Sequence, residues 1–279
     1  MIIDFHTHLF PPNFTTNRRK YLDRDLTFSS MYSNDRSAQA TVEKLIANMN
    51  HVGIDKSVIM GIGWSDMQVA IESNNYIADV VAKFPDRLIG FCSVNPSWGR
   101  KAVSEIERCV DRGIRGIGEL HPDTQNLDIT DKVMMAPIMN AALSMKLPLL
   151  VHSSEPVGHI YPGKGNTTPD KLYKLASNFP DNVIVFAHWG GGLPFYSLMP
   201  EVKRALGNVF YDMAASPLLY NSDVIREVVS LEGSNKILFG SDFPLIRQER
   251  ILNQVMTSNL TNDQKARILG LNALPLVTG

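Results

Sequence analysis

The chain has 279 residues, 44% hydrophobic and 20% charged, with 27 basic against 28 acidic side chains. A formal charge of -1 leaves no basic footprint for nucleic acid or an anionic membrane surface. No run of about 18 apolar residues is present to span a bilayer, and two cysteines, Cys92 and Cys109, are too few for a disulfide framework, so the reading is a cytoplasmic globular protein forming one domain, 1–279.

The first apolar run, 2–5, reads as a β-strand and leads into Asp4-Phe5-His6-Thr7-His8. It carries no basic n-region and no cleavage site, unlike a secretory signal. On a strand alternate side chains share a face, so both imidazoles point one way, with Cα atoms about 6.6 Å apart. Two nitrogens can reach one ion from there. Asp4 shares that face and is expected to orient a ligand imidazole. From Phe10 to about Gln39 runs one outsized polar connection, read as a loop over the catalytic face. Its arginines, Arg18, Arg19, Arg24 and Arg36, either reach for an anionic substrate or are solvated.

Strand runs then recur at 57–62, 88–94, 116–120, 147–152, 183–188, 209–213 and 236–241. Nearly all are continuous in apolar residues, as strands buried on both faces are. Helical spacing fills the intervals. Val42, Leu45, Ile46, Met49 and Val52 are closed by Gly53, and a second set within 69–84 ends near Pro85. Further sets lie at 103–110 ahead of Gly113, at 134–145, and at 172–179 after Pro169 at the first helical position. Ser222 is placed to cap a helix over 224–231, and Thr261-x-x-Gln264 is a capping box opening a last helix through Leu271. Eight strand–helix units in strict alternation predict a parallel α/β sheet, and at this length a (β/α)8 TIM barrel rather than an open doubly wound sheet. No Gly-x-Gly-x-x-Gly follows the first strand and no Gly-Lys-Ser/Thr loop occurs, which removes the nucleotide-binding readings.

In such a barrel functional groups collect at the carboxyl ends of strands. His6 and His8 end the first run, Glu119 the fourth, His152 the fifth and His188 the sixth, and Asp242 follows the eighth. Each has an ordinary explanation when taken singly: a carbonyl-bonded core histidine for His152 or His188, a helix N-cap for Asp242, an Arg115 partner for Glu119. Six such groups at one rim would be costly to bury without a ligand, and a shared divalent metal is the simplest account. His51 reads as solvent-facing, His121 and His159 as loop residues on the catalytic side, and Cys92 as a small core hydrophobe. The glycines at 190–192 would let a substrate approach the backbone. Trp64, Tyr161, Lys164 and Arg247 are candidate substrate contacts.

Five motifs carry a resemblance: Asp-x-His-x-His at 4–8, Val-His-Ser at 151–153, Ala-His-Trp-Gly-Gly at 187–191, Phe-Gly-Ser-Asp-Phe-Pro at 239–244 and Ile-Leu-Gly-Leu-Asn-Ala at 268–273. Together they resemble the amidohydrolase superfamily, and more narrowly the amidohydrolase-related group that contains aminocarboxymuconate-semialdehyde decarboxylase. The likeness spans residues 1 to about 275. It implies a distorted barrel and a divalent ion, usually Zn2+, held by His6, His8, His152 and Asp242, with His188 as an acid/base. Glu119 departs from that pattern, because TatD-like hydrolases place a bridging glutamate there. The resemblance therefore allows one ion or two; with two, His6, His8 and Asp242 hold one, His152 and His188 the other, and Glu119 lies between them. No lysine stands at that position for a carboxylated version.

With Asp242 as general base toward a metal-bound water, the leading expectation is metal-dependent hydrolysis of an amide, ester or lactone of a small molecule. The alternative is non-oxidative decarboxylation of an unsaturated or aromatic carboxylic acid. A TatD-like nuclease is disfavoured by the lack of a basic surface, and a scaffold without turnover by the complete ligand set. The related proteins imply a homo-oligomer; no nucleic-acid or membrane partner is expected.

Overall fold

Eight parallel strands follow one another in chain order in the computed structural model, which describes residues 1–278. They are β1 (Ile3–His8), β2 (Lys56–Met60), β3 (Leu88–Cys92), β4 (Gly116–Leu120), β5 (Leu149–Val151), β6 (Ile184–Phe186), β7 (Val209–Asp212) and β8 (Ile237–Leu238). With helices between them they make the expected (β/α)8 TIM barrel. Phe5, Val58, Phe91, Leu150, Val185 and Leu238 fill its interior, and a larger apolar layer lies between strands and helices. This two-sided burial is why the strand runs read as continuous apolar stretches.

The barrel closes irregularly between β8 and β1. No regular ladder joins them; instead Phe5 N donates to Phe239 O (2.7 Å), His8 N to Phe243 O (2.7 Å) and Asp242 N to His6 O (2.9 Å). The register of β1 against β2 shifts between Asp4 and Thr7. Phe5 belongs to the interior cluster, so its neighbour Asp4 faces the helical layer, and the bulge turns His6 inward after it. Asp4 therefore does not orient an imidazole, contrary to the plain alternation of the sequence. Its Oδ1 accepts from His6 N (3.2 Å) and Ser241 N (2.9 Å), and its Oδ2 accepts from Ser241 Oγ (2.6 Å) and Gln248 Nε2 (2.7 Å). Burial pushes its carboxyl up to about 6 against the pull of those donors. It is the clasp of the barrel seam.

The helices α4 (Val42–Val52), α5 (Met67–Lys83), α6 (Arg100–Asp111), α7 (Lys132–Ser144) and α8 (Pro169–Asn178) match the periodicity, and Gly53 closes α4 at φ 82°. The Thr261–Gln264 capping box forms, but that helix is broken into Asn262–Ala266, a π-turn over Arg267–Leu271 and Ala273–Thr278. Asp223 rather than Ser222 precedes the helix Val224–Glu232. No helix among the described residues is long and apolar enough to cross a membrane.

The polar loop expected after β1 is instead three short helices, α1 (Pro12–Thr16), α2 (Arg18–Leu22) and α3 (Leu26–Tyr32). Phe14, Tyr21 and Phe28 recur every seven residues along it and are buried against Phe10 and Trp64. Asp25 caps α3 through Phe28 N (2.8 Å) and binds Ser65 N (2.7 Å) and Asp66 N (2.9 Å), which pins the insertion to the loop after β2. Arg18 donates to the carbonyls of Tyr32 and Asn34, and Arg24 pairs with Asp66 at 3.0 Å. Those two arginines hold the insertion together rather than reaching for an anion, and Arg19 and Arg36 are exposed.

Replacing Asp4 with alanine strands several buried donors, so Asp4→Ala should lower unfolding free energy by about 3 kcal/mol or more. Urea unfolding would measure it, and a loss below about 1 kcal/mol would contradict the clasp.

Candidate metal centre

All six residues singled out from the strand ends meet at the carboxyl end of the barrel, and all six are buried. Glu119 lies between two pairs of histidines. Its Oε2 is 3.8 Å from His6 Nε2 and 3.7 Å from His8 Nε2, while its Oε1 is 3.0 Å from His152 Nδ1 and 3.8 Å from His188 Nε2. Two triads with metal-ligand spacing result, His6–His8–Glu119 and Glu119–His152–His188. Asp242 Oδ1 completes the first side, 3.3 Å from His8 Nε2 and 4.0 Å from His6 Nε2.

The far nitrogens of these rings decide what the near ones can do. His6 Nδ1 donates to Asp212 Oδ2 (2.8 Å) and His8 Nδ1 to the Gly61 carbonyl (2.8 Å), since neither oxygen can donate. In their neutral forms both rings therefore turn Nε2 lone pairs inward, at nitrogens 3.0 Å apart. Two facing lone pairs repel unless a cation sits between them, and neutral imidazole nitrogen is a strong metal donor. His188 Nδ1 donates to Ala214 O (3.0 Å), which turns its Nε2 toward His152 Nδ1 at 3.1 Å, and His152 Nε2 is buried without a partner. The protein's own charges ask for the same thing. Burial opposes charging His6, but the Asp212 carboxylate, helped by Glu119 and Asp242, pushes its pKa up to about 10. Burial would likewise raise Glu119, yet the His152 hydrogen bond and the neighbouring imidazoles hold it well below the usual carboxylate range. A divalent cation fits this donor set.

Strained backbone aims two of the side chains. His188 and Trp189 have φ of 56° and 58°, and Asp242 has φ 68°, a region costing roughly 1–2 kcal/mol for a side chain of this kind. Asp212 Oδ1 holds the turn by accepting His188 N (2.9 Å), and Trp189 Nε1 donates to Ser216 Oγ (2.9 Å). Gly191 continues that left-handed turn at φ 56°, and a Cβ there would strike the Ser154 carbonyl. Gly191 thus serves the turn and its packing on the β5 loop.

Asp212 and Tyr32 escaped the sequence reading, and His121 was read only as a loop residue on the catalytic side. Asp212 ends β7 and joins His6 to His188, but its position inside an apolar run hid it. His121 stacks on His152 at 4.2 Å and 16°, held by Thr124 Oγ1 (3.0 Å) and the Gly163 carbonyl (3.1 Å). Burial, then His152, lowers its pKa to about 3, so it stays neutral. Tyr32, at the end of α3, packs on Phe10 and Phe28, and its phenol is raised by burial and then by the charges of Asp242 and Glu119. Of the suggested substrate contacts, Trp64 is buried in the aromatic cluster and Arg247 is exposed outside the site. Lys164 donates to the carbonyls of Val157 and His159, while Tyr161 remains at the rim. His51 and His159 are exposed, and Cys92 and Cys109 are buried free thiols.

A family model described as amidohydrolase matches residues 3–277. The chain belongs to the amidohydrolase family. It is 22% identical to 2-amino-3-carboxymuconate-6-semialdehyde decarboxylase of Dictyostelium discoideum, over 98% of this chain and 90% of that protein. Its fold superposes on 5-carboxyvanillate decarboxylase from Sphingomonas paucimobilis with a TM-score of 0.82 at 18% identity, covering 99% and 98% of the two chains. The corresponding enzyme from Novosphingobium aromaticivorans, solved with manganese and 4-hydroxy-3-methoxy-5-nitrobenzoic acid, gives a TM-score of 0.81 at 19% identity, covering 100% and 96%. Family and histidine–carboxylate cluster together support a divalent metal and a metal-dependent enzyme. These likenesses correct the expectation of hydrolysis: the curated relative that matches nearly the whole chain is named a decarboxylase, as are the two solved structures just described, and that is the reaction first held as the alternative. That expectation leaned on Glu119, whose two-sided position among imidazoles fits either chemistry.

Ligand imidazoles deprived of their orienting partner typically lose 10–100-fold in metal affinity. Asp212→Asn should weaken metal binding by about that factor, read by competition with a chromophoric chelator. Unchanged affinity would remove Asp212 from the account.

Proposed function

We propose that the protein is a metal-dependent, non-oxidative decarboxylase of an unsaturated or aromatic carboxylic acid, acting as one domain in the cytoplasm. The observation that carries this reading is the likeness over nearly the whole chain to decarboxylases, on a site where imidazole lone pairs converge beside carboxylates. His6, His8, Glu119 and Asp242 would hold the ion, with His152 and His188 able to complete it or to hold a second ion against Glu119. An imidazole-rich set suits Zn2+, and manganese is the rival its carboxylates would accept. When bound, the ion supplies a site for the substrate carboxylate and stabilises negative charge on the oxygens beside it.

The remaining work falls to the chain. Asp242, 3.3 Å from His8 and held in its ionised form by the neighbouring imidazoles against burial, would take a proton from solvent water and pass it to the carbon that bears the carboxylate. The bond to CO2 then breaks, and its electron pair restores the π-system. His188 has its Nδ1–H committed to Ala214 O, so its Nε2, which faces His152 Nδ1 at 3.1 Å, is the basic nitrogen that would accept a proton from a substrate hydroxyl. The neutral His121 ring stacked on His152, and the aromatic insertion under Tyr32, shut water away from this chemistry.

Metal-loaded protein incubated with hydroxybenzoates and unsaturated dicarboxylic semialdehydes should release CO2. Asp242→Asn should cut that rate by about 10²–10⁴-fold while the fold survives. Turnover of lactones or amides with no CO2 from any acid would overturn the reading.

A further inference from the structure

His121 follows β4 directly and sits where three parts of the molecule meet. It is buried and lies flat on His152, with ring centroids 4.2 Å apart and planes 16° apart. Its backbone is held from two sides. His121 N donates to Gln125 Oε1 (2.9 Å), and Gln125 Nε2 is spent on the carbonyls of Trp64 and Val94, both at 3.0 Å. A Cβ on Gly63 would come within 2.3 Å of His121 N, so the loop after β2 presses directly on it.

Both ring nitrogens reach segments outside the barrel. The Gly163 carbonyl can only accept, so His121 Nε2 carries the proton and donates to it (3.1 Å). Nδ1 then accepts from Thr124 Oγ1 (3.0 Å), which itself accepts from Thr27 Oγ1 of α3 (2.7 Å). Burial keeps the ring neutral, as this pattern requires.

Gly163 belongs to the loop after β5. The base of that loop is closed by Ser154 N to Thr167 O (3.0 Å), Gly165 N to Ser154 Oγ (3.0 Å) and Thr167 Oγ1 to Asp123 Oδ2 (2.9 Å). Beyond the base, 156–160 are exposed, with Val157 at 76% and Ile160 at 86%. Lys164 turns back on the loop's own carbonyls, those of Val157 (2.8 Å) and His159 (3.1 Å). Through the Gly163 carbonyl this exposed loop touches the ring packed on the metal centre. An ion held by His152 fixes the plane of its imidazole, and that plane is the surface on which His121 rests. Such coupling is reciprocal, so order in the loop and occupancy of the centre favour each other by one factor.

We propose that His121 is a positioning residue for His152, and that through it the loading of the metal centre orders the loop after β5. The inference rests on the reading of the site as a metal centre with His152 among its ligands, and is independent of the reaction performed there.

Amide hydrogen exchange of 155–166, compared between metal-free and zinc-loaded protein, tests this, with zinc affinity read in parallel by chelator competition. Zinc should slow exchange of the loop about five-fold in the wild type. His121→Phe keeps a flat ring against His152 and loses both nitrogens. It should abolish the zinc-dependent slowing, while affinity falls by no more than that same factor. His121→Ala removes the ring as well; it should abolish the slowing and cost about ten-fold or more in affinity. A ring that merely packs would let both variants speed exchange equally with and without zinc, leaving the ratio intact. That result, undiminished affinity in His121→Ala, or zinc bound by the wild type with no change in the loop overturns the proposal alone. No zinc bound by the wild type overturns it together with the metal reading. Thermal unfolding checks that the variants fold, and if His121→Ala does not, His121→Phe decides.

Discussion

Two imidazole nitrogens, His6 Nε2 and His8 Nε2, face one another at 3.0 Å, with lone pairs turned inward in the neutral rings, inside a largely buried site. Most of the upper barrel is arranged to keep them so. Asp212 takes the proton of His6 on the far side of the ring and the Gly61 carbonyl takes that of His8, so neither ring can turn its donor inward. Such an arrangement is stable only around positive charge. Glu119 and Asp242 add two carboxylates to the same space, which deepens the demand. The site is organised around a cation.

The backbone bears strain to satisfy that demand. His188, Trp189 and Asp242 occupy left-handed conformations that only surrounding bonds can hold. Asp212 does so for His188 while it orients His6, so one carboxylate ties β7 to β1 and to the turn after β6. Asp4 performs the matching task one layer out, closing a seam that lacks a regular ladder. The aromatic insertion packs around Ile62 and Trp64, after β2, as a small second core. Loss of any of these would be felt first as misaimed ligands.

The barrel could be read from the sequence because its strands are buried on both faces and each ends abruptly in a polar residue. His152 and His188 stand out for that reason alone. Asp212 obeys the same rule at the end of β7 but was absorbed into a run extended one residue to Met213. Asp4 was misassigned because strict alternation puts it beside His6, and a one-residue bulge is invisible in a pattern of period two. The insertion looked polar by composition, although Phe14, Tyr21 and Phe28 at intervals of seven already marked a buried helical face. Reaction type was the least accessible layer, since the same imidazoles and carboxylates hold a metal for hydrolysis and for decarboxylation alike. Similarity along the whole chain is what favours the second.

The central claim is that the converging imidazoles hold a divalent ion. Crystals of the protein loaded with zinc or manganese, measured at the absorption edge of that metal, test it most directly. The account requires an anomalous peak about 2.0–2.3 Å from the Nε2 atoms of both His6 and His8, with a carboxylate oxygen of Glu119 or Asp242 in reach. Fully loaded crystals with no peak at that position, and His6 and His8 bonded to each other through a shared proton, would contradict it.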